Sequence, residues 1–315
     1  MHDPAPVALQ MHPFSEYLES RLKTRFDVVR WFELSDAEKS AFLQQRAAAV
    51  RAVITGGHIG CSDDLVRAFG ALGIIAIHGV GVDKVNLALA RERGIRVTTT
   101  PGTLSEDVAD LAVGLTISLL RAIPASDAYV RAGHWLRAEK ALAHKVTGRR
   151  FGIVGLGNIG LAIAARVAPF GPVAYTGPRR KSVPYPFYEN VLGLAANSDV
   201  LMVACPANSS TRHLIGAEVL DSLGADGYLV NVSRGAVVDE AALIAALDAG
   251  RIAGAALDVF EKEPHVPAEL CASEKVVLTP HVASATVETR KLMSDIVLGN
   301  LDAFLAGRQP PTAVV

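Results

Sequence analysis

The chain is poor in cysteine: Cys61, Cys205 and Cys271 are the only three in 315 residues. They are far apart, odd in number and without metal-ligand spacing, which argues against a disulfide framework or a zinc site and predicts no bound metal. Charge of one sign is also lacking. Thirty-one Lys and Arg face thirty-two Asp and Glu, so the formal net charge is −1, and no electrostatic attraction to nucleic acid or an anionic membrane is expected. No basic start followed by an apolar stretch marks a secretory signal. The most apolar helical stretch, Val108 to Ile123, contains Asp110 and Arg121 and is shorter than the roughly 20 residues that a membrane span needs. These absences lead to the expectation of a cytoplasmic protein with no membrane partner.

Half of the residues are hydrophobic, enough for the large core of a two-domain chain. Short apolar runs alternate with helical stretches, which predicts parallel sheets covered by helices, an α/β fold. In the first unit, strands are expected near Val7, at Ala52 to Thr55, Gly73 to His78 and Ile95 to Thr98. Helices are expected around Phe14 to Leu22, Ser35 to Val50 and from Asp83 to Gly94. Pro101 and Gly102 break the pattern, and a long apolar helix follows from Ser105 to about Arg121. Residues 133–147 are polar and mixed and read as a connecting arm. In the second unit, strands are expected near 151–154, 172–176, 200–204, 228–232, 253–257 and 276–279, six strands that describe a doubly wound fold. A last helix is expected at about Val287 to Leu305, and the residues after Gln309 read as a loose tail.

Phe151-Gly152-Ile153-Val154 is a buried-strand run, and Gly155-Leu156-Gly157-Asn158-Ile159-Gly160 follows it directly before a helix. The first glycine permits a tight turn, the second lets a pyrophosphate approach the backbone, and the third lets helix and strand pack closely. The helix N-terminus offers unpaired N–H groups to phosphate. A dinucleotide site is therefore predicted, with Asn158 and Ile159 at the phosphates. An NAD-preferring site usually carries Asp or Glu at the end of the next strand. Here that strand runs into Thr176-Gly177-Pro178-Arg179-Arg180-Lys181. Guanidinium forks suit a 2′-phosphate, so Arg179 and Arg180 predict preference for NADP(H), with NAD(H) possible.

Three further segments fall at strand ends of the second unit: Asn231 to Asp239, Ala256 to Pro264 and Thr279 to Thr286. Ligands of open α/β sheets lie beyond the carboxyl ends of the strands, so Arg234, Glu263 and His281 are delivered together. Alone, an Arg-Gly after a strand is usually a turn, a Glu-Pro a surface loop, and one His before a helix a cap. Jointly they match hydride addition to a 2-keto acid. Arg234 would hold carboxylate and carbonyl in a planar fork, His281 would transfer a proton near neutral pH, and Glu263 would orient the imidazole.

These motifs, together with His78-Gly79-Val80-Gly81-Val82-Asp83 and Thr103 to Leu115, resemble the D-isomer-specific 2-hydroxyacid dehydrogenase family over nearly the whole chain. The basic turn after Tyr175 is most similar to its NADPH-dependent glyoxylate/hydroxypyruvate reductase branch. The resemblance implies two doubly wound Rossmann-like domains. One is a discontinuous, flavodoxin-like substrate-binding domain, 1–100 plus 287–315. The other, 101–286, is a dinucleotide-binding domain carrying a dimerisation arm. It implies reduction of a small 2-keto acid to the D-2-hydroxy acid by a homodimer, with Arg234 and His281 on the substrate and Glu263 as partner of His281. Backbone N–H groups at Val80 and Gly81 would hold the substrate carboxylate, and Asp258 the nicotinamide amide. Cys205, Pro206, Val232, Ser233 and Ser284 would line the cofactor. Ala283 stands where many members carry Gly. Trp135 in the arm is either an anchor at a dimer surface or a residue reaching the partner's substrate site. His58, His78, His134, His144, His213 and His265 are read as ordinary, although His78 lies beside the carboxylate loop. Alternatives are an NAD-linked phosphoglycerate-type dehydrogenase, which would carry an acid near Thr176, and a cofactor-sensing, corepressor-like binding protein.

Overall fold

The computed structural model describes residues 5–315. They form two compact units, one of the residues up to Leu104 together with Ala285–Val315, the other Ser105–Ser284.

In the first unit, β1 (Val7–Gln10), β2 (Asp27–Arg30), β3 (Val50–Gly56), β4 (Ile74–His78) and β5 (Arg96–Thr98) make a parallel sheet in the order β2-β1-β3-β4-β5. Helices α1 (Glu16–Lys23), α2 (Asp36–Gln45), α3 (Asp63–Ala68) and α4 (Leu87–Glu92) connect the strands. Alternate residues of a strand face opposite sides, so one run of apolar residues serves two cores. Ala52, Ile54, Ile74 and Ala76 pack on Leu18, Leu22 and the C-terminal helix, Val287–Leu305, through Val297, Leu298 and Leu301. Val53, Ile75 and Ile77 face the other way, against Phe42, Val66, Phe69 and Leu89.

The helix expected around Ser35 to Val50 ends at Gln45, and Val50 already begins β3. Three further readings of the sequence need correction in this unit. The edge strand β2 was not expected: its four residues are half-exposed and show no alternation that would mark them. The helix expected from Asp83 begins only at Leu87, because Asn86 is the residue whose side chain caps it, accepting from Leu89 N–H at 3.1 Å. The segment after Gln309 is not loose. Val314 N–H donates to Val97 O at 2.8 Å. Asn300 Nδ2 donates to Thr312 Oγ1 at 2.7 Å, and that hydroxyl donates to Thr99 O at 2.5 Å. These polar ties leave no hydrophobic period to read.

In the second unit, α5 (Ser105–Leu120) and α6 (Ile123–Arg131) precede β6 (Phe151–Val154), α7 (Asn158–Val167), β7 (Val173–Thr176) and β8 (Phe187–Tyr188). Then come α8 (Val191–Ala196), β9 (Val200–Val203), α9 (Ala217–Leu223), β10 (Tyr228–Asn231), α10 (Glu240–Asp248), β11 (Gly254–Leu257), α11 (Ala268–Ala272) and β12 (Val276–Leu278). All strands are parallel, in the order β12-β11-β10-β9-β6-β7-β8. The sheet has seven strands rather than the six expected. Strand β8 is two residues in a proline-containing stretch, too short for a periodic signal. It is recruited when Tyr175 N–H donates to Pro186 O at 2.9 Å and Thr176 Oγ1 to Tyr188 O at 2.9 Å. The order in which successive strands join the sheet reverses between β6 and β9, and that switch point is where a doubly wound sheet opens a crevice for ligands.

No single helix among the described residues is long and apolar enough to cross a membrane; α5 and α6 suffice only as a pair, bent by 59°.

Candidate active site

The glycine loop leaves β6 at the switch point. Gly155 has φ +93°, and a Cβ there would lie 2.7 Å from the Cα of Cys205, just beyond β9. Gly160 lies inside α7, where a Cβ would come within 2.1 Å of Gly155 O. Both positions thus require glycine for backbone packing. Gly157 differs: it is the N-cap of α7, and a Cβ there would meet nothing within 4 Å. That open space lies over the unpaired N–H groups of a ten-residue helix, a fit for a pyrophosphate.

Strand β7 ends at Thr176, buried, and the turn that follows carries Arg179 and Arg180 exposed to solvent. Lys181 N–H donates to the Tyr175 hydroxyl at 2.6 Å, which fixes the turn. The Arg180 guanidinium lies 5.6 Å from the centre of the Phe187 ring, so β8 helps to shape the basic loop.

Arg234 follows β10 and is half-buried. Asn231 organises its backbone: Nδ2 donates to Arg234 O at 3.1 Å, while Oδ1 accepts from Ser233 N–H and Oγ–H at 3.0 and 2.8 Å. Ser233 O in turn accepts from Arg234 Nη1 at 2.7 Å. Val232 and Ser233 are buried, as is Cys205, whose thiol burial pushes up to about 11. Pro206 is exposed and Ser284 half-buried. The next residue is pinned as well. A Cβ on Gly235 would stand 1.9 Å from the carbonyl carbon of Phe260 and 2.3 Å from Glu261 N. Two rigid backbones cannot yield as a flexible side chain would. Gly235→Ala is therefore expected to cost about 2–4 kcal/mol of stability, or to prevent folding; urea unfolding reads this, and a loss under 1 kcal/mol would contradict it.

The Phe260 end of that contact leads to the acid–base pair. Phe260 N–H donates to Glu263 Oε1 at 3.0 Å, and Glu263 Oε2 lies 2.7 Å from His281 Nδ1. Both side chains are roughly a quarter exposed, at 24% and 29%, so the pair is held by the fold yet open to a ligand. His281 has φ +53°, a conformation that non-glycine residues seldom adopt without support. Asp258 supplies the support. Its backbone carbonyl accepts from His281 N–H at 2.8 Å, and its carboxylate accepts from Thr279 Oγ, Val282 N–H and Ala283 N–H at 2.6, 2.9 and 2.9 Å. Asp258 is fully buried, and burial raises its pKa against these hydrogen bonds. Its carboxylate clamps the 279–283 turn, a role that the sequence reading did not assign.

His213, read as ordinary from sequence, is half of a second pair. Its Nε2 lies 2.6 Å from Glu261 Oε1, and Glu261 N–H donates to Glu240 Oε1 at 2.7 Å. Burial raises the pKa of Glu240, and the carboxylates of Glu261 and Glu263 add to the rise. No local motif around His213 announces this pair; it exists because the β9–α9 segment meets the β11 loop. In the first unit, Val80 is exposed at 39%, and the loop around it is tied by Thr100 N–H donating to Gly79 O at 2.8 Å. Trp135 is 69% exposed, close in sequence to the exposed Leu136 and Leu142. Among the described residues no cluster could hold a metal ion.

A seven-stranded parallel sheet of this order, with a glycine turn at its switch point and an imidazole–carboxylate pair at its carboxyl edge, has the architecture of a Rossmann-type dehydrogenase. The family model for the "D-isomer specific 2-hydroxyacid dehydrogenase, NAD binding domain" matches residues 113–283. A glyoxylate/hydroxypyruvate reductase of Arabidopsis thaliana is 48% identical over 98% of both chains, and a 2-ketogluconate reductase of Gluconobacter oxydans is 40% identical over 98% of this chain and 99% of its own. A solved NADPH-dependent glyoxylate/hydroxypyruvate reductase of Sinorhizobium meliloti, in complex with NADP and malonate, superposes with a TM-score of 0.91. It is 40% identical and covers 98% of this chain and 97% of its own. The chain belongs to the D-isomer-specific 2-hydroxyacid dehydrogenase family, in its glyoxylate/hydroxypyruvate reductase branch, and is an oxidoreductase.

Proposed function

We propose that the chain reduces a small 2-keto acid, such as glyoxylate or hydroxypyruvate, to the D-2-hydroxy acid with NADPH. The observation that carries this reading is the 2.7 Å contact of His281 Nδ1 with Glu263, at the same sheet edge as Arg234. Glu263 fixes the imidazole so that Nε2 is the nitrogen that gives a proton to the carbonyl oxygen of the substrate. The Arg234 fork orients the substrate carboxylate and stabilises the charge that grows on that oxygen. Val80 and Gly81 offer backbone N–H groups to the carboxylate. Gly155, Gly157, Asn158, Ile159 and Gly160 would hold the cofactor's pyrophosphate, and Cys205, Pro206, Val232, Ser233 and Ser284 its nicotinamide half. When bound, the cofactor supplies the hydride. The unit up to Leu104 with Ala285–Val315 is assigned to substrate and Ser105–Ser284 to the dinucleotide; the exposed apolar residues Val130, Trp135, Leu136 and Leu142 are assigned to a homodimer contact.

A panel of 2-keto acids assayed with NADPH and NADH in parallel tests the reading. Oxidation of NADPH with glyoxylate or hydroxypyruvate is expected. Tight NADPH binding without turnover of any 2-keto acid would identify a cofactor-sensing protein instead. The preference for NADPH rests on Arg179 and Arg180 together with the lack of a carboxylate at the end of β7. Arg179→Ala should raise KM for NADPH about tenfold, the effect of one charge-assisted contact, and leave KM for NADH within about twofold. Equal losses would remove Arg179 from the 2′-phosphate.

A further inference from the structure

The carboxyl edge of the first unit's sheet carries a second cluster of basic groups. His12 follows β1, His58 follows β3, His78 ends β4, and Arg290 extends from the C-terminal helix. The His12 and His58 rings lie 5.4 Å apart between centres; Phe14 lies 4.2 Å from His12 and 5.3 Å from His78. Arg290 Nη1 is 3.4 Å from His78 Nδ1, while His78 Nε2 lies 3.3 Å from Ser294 Oγ. The cluster adjoins the loop at Val80 and Gly81, because a Cβ on Gly57 would be 3.0 Å from Gly81 O.

Two features of this cluster point to a missing anion. Arg290 is half-buried, burial lowers its pKa, and no carboxylate pairs with it among the described residues. It also sits in the first turn of its helix, where the helix dipole disfavours a cation. A desolvated guanidinium without a counter-charge is costly unless something completes it. Independently, His12 Nε2 is buried and has no hydrogen-bond partner. Burial and mutual repulsion hold His12 near 4, with His58, His78 and Arg290 as its charged neighbours; burial and Arg290 do the same for His78. Every charged neighbour of His12 in this cluster is basic, the arrangement that an anion would relieve.

We propose that His12, His58, His78 and Arg290 form a receptor for a second anionic group of the substrate, so that the favoured substrates are 2-keto acids with a carboxylate or phosphate at the far end. This rests on the 2-keto acid reading and narrows its substrate class. With one anion at the Val80-Gly81 loop and the other at Arg290, a dianion occupies both; glyoxylate occupies only the first.

The test compares kcat/KM for oxaloacetate, 2-oxoglutarate and 3-phosphohydroxypyruvate with that for glyoxylate, in the wild-type protein, Arg290→Gln and His58→Ala, at constant ionic strength. At least one dianion is expected to exceed glyoxylate, and its advantage to fall about tenfold or more in Arg290→Gln. Which dianion wins distinguishes carboxylate from phosphate. Turnover of glyoxylate with no dianion favoured, or an advantage unchanged in both variants, overturns the receptor and leaves the reductase intact. If no keto acid turns over, the reductase reading fails and the receptor is still read by thermal unfolding. At least one dianion should then raise Tm of the wild type and not of Arg290→Gln, and no shift with any of them overturns it. Without ligand, Arg290→Gln should melt no lower than wild type, since it removes an uncompensated charge; a Tm several degrees lower would make Arg290 a structural residue and end the proposal. Should Arg290→Gln not fold, His58→Ala, at an exposed position, carries the comparison.

Discussion

Replacing His281 by alanine is expected to lower kcat by about 10²- to 10⁴-fold, the range for a positioned general acid. The reason is geometric. Glu263 Oε2 holds Nδ1 at 2.7 Å, and the turn that presents the ring is clamped at four points by Asp258. Alanine keeps the backbone and its contacts but removes the proton donor, so hydride addition must then rely on water. The glycine loop that should hold the cofactor leaves a different strand, β6. NADPH affinity, measured by fluorescence titration, is therefore expected to stay nearly as it was. A variant turning over near the wild-type rate would take His281 out of the mechanism. One that lost NADPH binding in equal measure would mean that the substitution had disturbed the fold.

Arg234→Gln is expected to lower kcat/KM by about 10²- to 10³-fold, in the range measured when one donor to a developing oxyanion is removed. Glutamine preserves length and one N–H group but neither the charge nor the fork. Arg234→Lys should recover little of the loss, because a point charge does not reproduce two parallel hydrogen bonds. Arg234 Nη1 already donates to Ser233 O at 2.7 Å, so the guanidinium is oriented before substrate arrives and binds with less loss of side-chain freedom. Steady-state kinetics with glyoxylate checks the expectation: a loss of less than tenfold would be falsifying for the carboxylate and carbonyl assignment. Gly235→Ala, by contrast, should act through stability, since its added methyl would strike the backbone at Phe260.

The parts of this molecule that were legible in the sequence are those written in local pattern. Buried parallel strands need continuous apolar runs, so Phe151-Gly152-Ile153-Val154 and the stretch near 228–232 stood out; strands are found at Phe151–Val154 and Tyr228–Asn231. The last helix was expected at about Val287 to Leu305 and is found there; in the structure Thr286 caps it, accepting from Thr289 N–H. The glycine turn could be read because Gly155 and Gly160 answer steric demands of a strand–turn–helix unit and Gly157 leaves the helix N-terminus open. Elements stabilised by something distant were missed. Strand β8 exists through its neighbour β7, β2 through β1, and the C-terminal segment through Thr99 and Asn300. None carries a period of its own.

The same division runs through the candidate site. Residue types and their order along the chain determined the family resemblance, the dinucleotide loop and the trio Arg234, Glu263 and His281, because a motif is a local arrangement of side chains around a turn. Only the tertiary structure showed that the Asp258 carboxylate clamps the 279–283 turn, where the resemblance had implied a contact to the nicotinamide amide. Only the fold paired His213 with Glu261 and gathered His12, His58, His78 and Arg290 at one sheet edge. These groups come from segments far apart in sequence, and whether a histidine meets a carboxylate or an arginine meets none is settled by which strand ends the sheet brings together.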